Sequence, residues 1–219
     1  MEKNYTALGL MSGTSMDGVD ASIIRSDGNE EYSIILDKYF EYGEKLRQKL
    51  INIRAQVLIV DDLEASSEEI KEIEREITLF HANAVNEILD NSKIKIDLIG
   101  FHGQTIFHDS KKKITKQLGD GKLLSQLTKK LVVYDFRQND LKNGGQGAPL
   151  TPIFHNAMVN KYLNKELDKS YSINILNIGG IANITQTVKW KDFFSSHNNK
   201  IIACDISPGN CLIDEWVRK

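Results

Sequence analysis

The sequence predicts an α/β protein made of two related halves, and two observations support that fold class. The order strand, small-residue turn, strand, strand and helix starts near residue 5 and starts again near residue 172. In the first half, an apolar stripe with helical spacing follows three short strands, which is typical of a sheet covered by a helix. The repeat is one of order rather than of residue identity, and it indicates duplicated α/β halves.

Three strands open the first half, at residues 5–11, 19–25 and 32–39. Apolar and polar residues alternate along the second of them, as in a half-buried antiparallel strand. A helix is predicted at about residues 67–89, because apolar side chains recur there at three- and four-residue steps. Ser66 and Glu69 have the spacing of a capping box for its first turn.

Shorter elements complete the first half. A strand at 96–101 runs into polar residues, and a turn at Asp120 and Gly121 precedes a helix near 123–130. A strand at 131–136 ends in the polar stretch 137–140, which a flexible connection at 144–147 follows. The last element is a helix from Pro152 to about residue 163, with Thr151 as its cap.

The second half repeats the opening order with strands at 173–178, 181–188 and 200–205, and a helix that starts at Cys211 with Asn210 as its cap. The chain stops at Lys219, about two turns into that helix, and so short a helix needs a surface to pack on. We therefore expect a first domain at 1–170 and the start of a second domain at 171–219. Exposed apolar surface on that second part predicts association.

Composition and charge exclude several classes of protein. Of the 219 residues, 41% are hydrophobic and 26% are charged, as in soluble globular proteins. A formal charge of −2 gives no reason to expect nucleic acid or an anionic membrane as a partner. Residues 57–60 and 131–133 have the size of buried strand cores, far below a membrane span. With two cysteines at no metal or redox spacing and no signal peptide, we expect a cytoplasmic protein with free thiols.

The connection GLMSGTSMDGVDA at residues 9–21 leaves two interpretations open. Gly13 and Gly18 have the glycine spacing of a P-loop, but Val19 and Asp20 follow where that motif needs Lys and Ser or Thr. One interpretation is a hairpin whose backbone N–H groups approach phosphate, with Asp17 and Asp20 near Mg²⁺. The other is an elaborate turn capped by its own side chains.

Other polar residues follow predicted strands, where α/β proteins place ligands. Asp140 and Arg137 lie beyond the strand at 131–136, and His102 and Gln104 lie beyond the strand at 96–101. Caps or surface pairs are the ordinary alternative for Asp140 and Arg137, and a packed or surface histidine is the ordinary alternative for His102. His102, His108, His155 and His197 have no metal-ligand spacing. A second small-residue loop at Gly179 would form a phosphate clamp if it faced the first.

Six segments in this order resemble the anhydro-N-acetylmuramic acid kinase family. They are GLMSGTSMDGVDA, GFHGQTIFH, QLGDG, YDFRQNDLKNGGQGAPLTPIFH, LNIGGIANIT and DISPGNCLIDEW. The resemblance implies an actin-like, hexokinase-like ATPase fold of duplicated ribonuclease-H-like domains around a cleft, with the second domain incomplete here. It also implies the cofactors ATP and Mg²⁺, and 1,6-anhydro-N-acetylmuramic acid as the substrate.

The resemblance assigns roles to particular residues. Asp140 is the general base, which activates a water that attacks the anomeric carbon while the sugar's 6-oxygen takes the γ-phosphoryl group. The metal would be held by Asp17 and Asp20. The residues expected to bind ATP are Gly13, Thr14, Ser15, Met16, Asp17, Gly18, Val19, Asp20, Gly179 and Gly180. The residues expected to bind the sugar are His102, Gln104, Thr105, Arg137 and Asn177.

The chain departs from the family pattern at Ile206 and Ser207, where members usually have Thr and Gly, and the family's glycine-rich adenosine segment lies beyond the sequence. An alternative is therefore a catalytically silent fragment or split-protein half that only binds sugar. Another actin-like ATPase, such as a chaperone or acetate kinase, explains the paired loops but not FRQND or HGQT. A homodimer or association with a C-terminal half is expected.

Overall fold

Two compact units make up the computed structural model, which describes residues 4–29, 31–166, 173–187 and 201–217. The first unit comprises Met1–Asp27 and Tyr32–Gly147, and the second comprises Gly28–Glu31 and Ala148–Lys219. The division into domains at residue 170 stays a prediction. Three positions named in the sequence analysis lie outside the described residues. They are the predicted strand ends at 188 and 200, and His197.

A six-stranded mixed sheet forms the first unit. Its strands are β1 (Tyr5–Ser12), β2 (Gly18–Ser26), β3 (Tyr32–Glu41), β4 (Leu98–Asp109), β5 (Ile114–Leu118) and β6 (Leu131–Val133). The order is β3-β2-β1-β4-β5, and β6 pairs with β4. The β1, β2 and β3 strands form an antiparallel meander, whereas β4 runs parallel to β1 and β6. The three predicted opening strands are confirmed.

Five helices accompany this sheet in the described part of the first unit. They are α1 (Glu44–Gln56), α2 (Val60–Ala65), α3 (Ser67–Ser92), α4 (Gly121–Thr128) and α5 (Phe136–Lys142). The predicted apolar stripe of α3 is buried, and it packs with β1 and β4 side chains such as Leu8 and Phe101 in one core. This core fixes the ends of β1 and β4, where the candidate site lies.

The predicted capping box at the start of α3 is wrong. Ser66 makes no side-chain cap hydrogen bond, and its backbone lies outside the extended region that such a cap requires. Its N–H already donates to the carbonyl oxygen of Asp62 at 2.9 Å, because α2 ends where α3 begins. The carboxylate of Glu69 therefore has no free N–H of Ser66 to accept from.

Three further predictions about local structure are corrected. His102 and Gln104 lie inside β4 rather than beyond its end, because β4 continues through residue 109 and pairs with β5. Residues 137–140 lie in helix α5 rather than in a loop. Residues 57–60 are not a buried strand: residues 57–59 connect α1 to α2, Val60 begins α2, and Leu58 is 74% exposed.

The second unit contains an antiparallel sheet in the order β7-β8-β9, formed by Ile173–Ile178, Ile181–Thr187 and Ile201–Pro208. It also contains α6 (Pro152–Glu166) and α7 (Cys211–Val217). The predicted order of strands and helix is thus confirmed. On α7 the apolar side chains stay exposed, with Trp216 at 79%. Of the helices described, none is both long and apolar enough to span a membrane.

Candidate functional site

A tight connection between β1 and β2, residues 13–17, is here called the first loop. Met16 in it has a positive φ of 56° and a side chain that is 2% exposed, so it pins the loop to the core. Gly18 follows the loop as the first residue of β2, where β2 pairs with β3. A Cβ on Gly18 would overlap the carbonyl oxygen of Phe40 and lie 2.6 Å from the ring of Tyr39, so only glycine fits.

Three backbone carbonyls of the first loop accept hydrogen bonds from other parts of the unit. Gln104 Nε2 donates to Gly13 O at 3.0 Å, and Arg54 Nη1 donates to Thr14 O at 3.0 Å. The backbone N–H of Tyr42 donates to Asp17 O at 2.8 Å. In a planar trans peptide the N–H points opposite to the C=O. The N–H groups of Thr14 and Ser15 therefore point away from these donors, as an anion-binding loop requires.

Two carboxylates accompany the first loop. Ser15 Oγ donates to Asp17 Oδ1 at 2.7 Å. The pKa of Asp20 is raised by partial burial and, to a lesser extent, by the negative charge of Asp17. Mg²⁺ is commonly held by one or two carboxylates together with phosphate oxygens, and these residues fit that chemistry. The part of the chain that the structure describes contains no group of three or more potential metal ligands.

His102 and Arg137 form a polar connection between β4 and α5. His102 Nδ1 lies 2.8 Å from the carbonyl oxygen of Gly103, so Nδ1 carries the proton and donates it. Arg137 Nε then donates to His102 Nε2 at 2.8 Å. Burial, with the neighbouring Arg137 cation, lowers the pKa of His102 from 6.5 to about 4. His102 is therefore a neutral acceptor that orients Arg137.

The same network reaches Asp140. Arg137 Nη1 donates to the carbonyl oxygen of Gly147 at 2.9 Å, and the N–H of Gly147 donates to Asp140 Oδ2 at 2.7 Å. The connection after α5 is folded closely onto this carboxylate, because a Cβ on Gly145 would overlap it. His102, Arg137 and Asp140 are thus brought together, and Asp140 uses one oxygen to hold a backbone segment.

Gln104 and Thr105, also predicted to bind sugar, lie next to each other on β4. Gln104 is fully buried, and its amide bonds to the first loop. The Thr105 hydroxyl accepts from Gln117 Nε2 at 3.3 Å on the neighbouring strand β5. Sequence reasoning missed Tyr42 and Arg54 as partners of the first loop. No motif signalled them, because both donate to backbone carbonyls of the loop, and a sequence does not show which residue a carbonyl will contact.

In the second unit, residues 179–180 connect β7 to β8. The carbonyl oxygen of Gly179 accepts from the N–H of Asn210 at 2.8 Å, and that of Gly180 accepts from the N–H of Gly209 at 2.9 Å. Asn177, predicted to bind sugar, is exposed on β7. The start of α7 therefore fixes the orientation of this loop.

The two departures from the family pattern lie on β9, beside this loop. Asn183 pairs with Asp205 and Ala182 with Ser207, so Ile206 is an extra, bulged residue. Ile206 is 51% exposed. Because Ile206 has no partner residue on β8, its side chain does not disturb the pairing of β8 with β9.

Comparisons with known proteins identify the family to which this chain is similar. A family model described as anhydro-N-acetylmuramic acid kinase matches residues 5–219. A curated protein of that name from Pelagibacter ubique is 55% identical over 219 residues, which is 100% of this chain and 56% of that protein. Those from Rhizobium etli and Rhodopseudomonas palustris (strain HaA2) are 39% and 38% identical, over 99% and 97% of this chain and 56% and 55% of theirs. The chain spans about half the length of the curated relatives it matches.

Proposed function

This chain belongs to the anhydro-N-acetylmuramic acid kinase family, and we propose that it contributes the phosphate loop and sugar-binding strand of an ATP-dependent kinase acting on 1,6-anhydro-N-acetylmuramic acid. Members of the family are carbohydrate kinases, whose chemistry uses ATP. The fold class predicted from the sequence is confirmed, an α/β fold of the actin-like ATPase type. A cytoplasmic location stays a prediction.

The observation that carries the proposal is the first loop, whose carbonyls are held by Gln104, Arg54 and Tyr42. Phosphoryl transfer depends on positioning and on charge neutralisation rather than on covalent chemistry by the protein. A loop with fixed carbonyls presents its opposite N–H groups to phosphate at no reorganisation cost during the reaction. Asp17 and Asp20 would hold Mg²⁺, which neutralises phosphate charge when bound.

In the proposed reaction, water attacks the anomeric carbon, the anhydro bond breaks, and the released 6-oxygen takes the γ-phosphoryl group of ATP. The product is N-acetylmuramic acid 6-phosphate, together with ADP. Asp140 accepts the proton of the water as general base. Its Oδ2 accepts from Gly147, which leaves Oδ1 as the oxygen to take that proton. Arg137, which His102 orients, positions the sugar beside it.

The assignment of the base is tested with two isosteric variants. Asp140→Asn keeps an oxygen that accepts from Gly147 but removes the basic group, so kinase activity should fall by about a hundredfold or more while the fold is retained. Asp205→Asn is the matched comparison, because Asp205 is also an acidic residue of a family-like motif and is exposed on β9. Loss of activity in Asp205→Asn together with full activity in Asp140→Asn would transfer the role of base to Asp205.

The function itself is tested by a phosphorylation assay with ATP, Mg²⁺ and the anhydro sugar. The chain is assayed alone and together with a second segment, the part of a curated relative that this chain does not cover. Phosphorylated sugar in either mixture supports the proposal. If calorimetry shows sugar binding and neither mixture phosphorylates the sugar, the proposed kinase function is wrong and the sugar-binding alternative takes its place.

A further inference from the structure

A directed chain of buried hydrogen bonds runs from the connection between β3 and α1 to the first loop. The Tyr42 hydroxyl donates to Ser12 Oγ at 2.9 Å, and Ser12 Oγ donates to Gln104 Oε1 at 2.6 Å. Gln104 Nε2 then donates to the carbonyl oxygen of Gly13 at 3.0 Å. Tyr42, Ser12 and Gln104 are 3%, 1% and 0% exposed. We call these three residues the loop clamp.

The chemistry of the loop clamp gives it one direction. Ser12 has a single hydroxyl proton and two possible acceptors for it. Gln104 Oε1 lies at 2.6 Å and Gly18 O at 3.0 Å, so the proton points to Gln104. Burial raises the pKa of Tyr42, so its hydroxyl stays a donor at neutral pH. Donors aligned in one direction polarise one another, so the bonds strengthen together.

The loop clamp holds both ends of the first loop. Tyr42 fixes the Asp17 carbonyl with its own backbone N–H and reaches Gly13 through Ser12 and Gln104. The loop clamp thus supplies a hydrogen-bond donor to the carbonyl at each end of the loop, Tyr42 N–H at Asp17 and Gln104 Nε2 at Gly13. Gln104 is fully buried, and turning its amide toward a ligand would break its hydrogen bonds with Ser12 Oγ and Gly13 O, which is costly.

We propose that Tyr42, Ser12 and Gln104 are positioning residues for phosphate, and that Gln104 acts on the first loop rather than by touching the sugar. This inference rests on the proposed function, since it takes the first loop as the phosphate site. It adds Tyr42 and Ser12 to the residues that the reaction needs. It also connects the phosphate loop to β4, the strand that carries His102 and Thr105.

The test uses two variants and one control in the full chain. Tyr42→Phe removes the first donor but keeps the edge-to-face contact with Phe80, whose ring centroid lies 4.8 Å away. Gln104→Met keeps the length of the side chain but removes the hydrogen bonds of its amide, including those with Ser12 and Gly13. Thr128→Val is the control, because it removes a buried hydroxyl bond, to Leu124 O at 2.8 Å, in α4.

Binding of tripolyphosphate with Mg²⁺ is measured by calorimetry, and amide hydrogen exchange is measured across residues 13–17. Tyr42→Phe should weaken binding roughly three- to tenfold, and Gln104→Met roughly tenfold or more. Exchange in the first loop should accelerate in both variants, whereas Thr128→Val should leave binding and loop exchange as in the parent. In a kinase assay the variants should raise the KM for ATP more than the KM for the sugar.

The outcomes separate this inference from the proposed function. Weaker tripolyphosphate binding in both variants, in a chain that phosphorylates no sugar, upholds the loop clamp and contradicts the kinase. Parent-like binding and KM for ATP in an active kinase overturn the loop clamp and leave the function standing. No binding of tripolyphosphate by the parent chain also overturns the inference.

Discussion

Acid should destabilise the first unit through a histidine buried in its core. His81 on α3 is fully buried, and its Nδ1 donates to the carbonyl oxygen of Ile77 at 2.8 Å. Its Nε2 is buried without a hydrogen-bond partner, and the ring of Phe101 lies edge-on at 4.9 Å. Burial lowers the pKa of His81 from 6.5 to about 4, with His102 as a smaller cause. A proton on Nε2 would place a cation in an apolar core.

The size and sign of the effect follow from linkage. Between about pH 6.5 and pH 4 the unfolded chain binds a proton that folded His81 does not, so stability rises with pH in that window. Full stabilisation is present above about pH 6.5 and is lost as the pH falls toward 4. From about pH 7.5 to about pH 5, the free energy of unfolding should drop by about 2 kcal/mol for His81 alone.

The assay is urea unfolding at several pH values, followed by the NMR amide signals of β1 and β4. His81→Leu removes both the unpartnered nitrogen and the titration, so about 2 kcal/mol of the acid-induced loss should disappear. Thr128→Val is the control, because it lowers stability without removing a titrating group, and its curve should run parallel to the parent's. A parent-like slope in His81→Leu, or a His81 ring that titrates near pH 6.5, would refute the reasoning.

Two further predictions concern the first loop and its neighbours. Gly18→Ala should lower the free energy of unfolding, measured by urea denaturation, by about 2 kcal/mol or more, because the added Cβ would overlap Phe40 O. Gly43→Ala is the control and should be nearly neutral, because an added Cβ there has no other atom within 4 Å. Equal effects of the two alanines would contradict this. Asp20→Asn should weaken Mg²⁺-dependent tripolyphosphate binding in calorimetry yet raise stability by at most about 0.5 kcal/mol, since it removes repulsion from Asp17. Unchanged binding would remove Asp20 from the metal site.

Local pattern predicted the elements whose burial is periodic. The long stripe of α3 and the alternation in β2 come from one buried face, and such a face is visible in the order of residues. Helix α5 has no such signal. It is seven residues long, and its only buried side chain is Leu141. The residue before it, Asp135, has a positive φ of 60° and makes no side-chain cap hydrogen bond. Contacts of Arg137 with β4 and Gly147 stabilise it, and those contacts exist only after folding.

The candidate site was predictable as a set of segments but not as a set of contacts. The order of motifs identified the first loop, His102, Arg137 and Asp140, and the structure brings the last three together. A sequence cannot distinguish an amide that faces a ligand from one that faces a backbone carbonyl. For Gln104 that distinction depends on the distance between two strands, which is set by the sheet.

The two glycine loops show why only the order of elements repeats between the halves. In the first loop, carbonyls accept from the side chains of Gln104 and Arg54 and from the backbone of Tyr42. In the second, the carbonyls of residues 179–180 accept from backbone N–H groups at the start of α7. Both arrangements fix the same feature, the direction in which peptide N–H groups point, with unrelated donors. In the proposed function an anion interacts with the oriented peptide and not with the partner of its carbonyl, so the side chains around each loop are free to differ. Strand order must stay the same in both halves, because it decides where each loop lies.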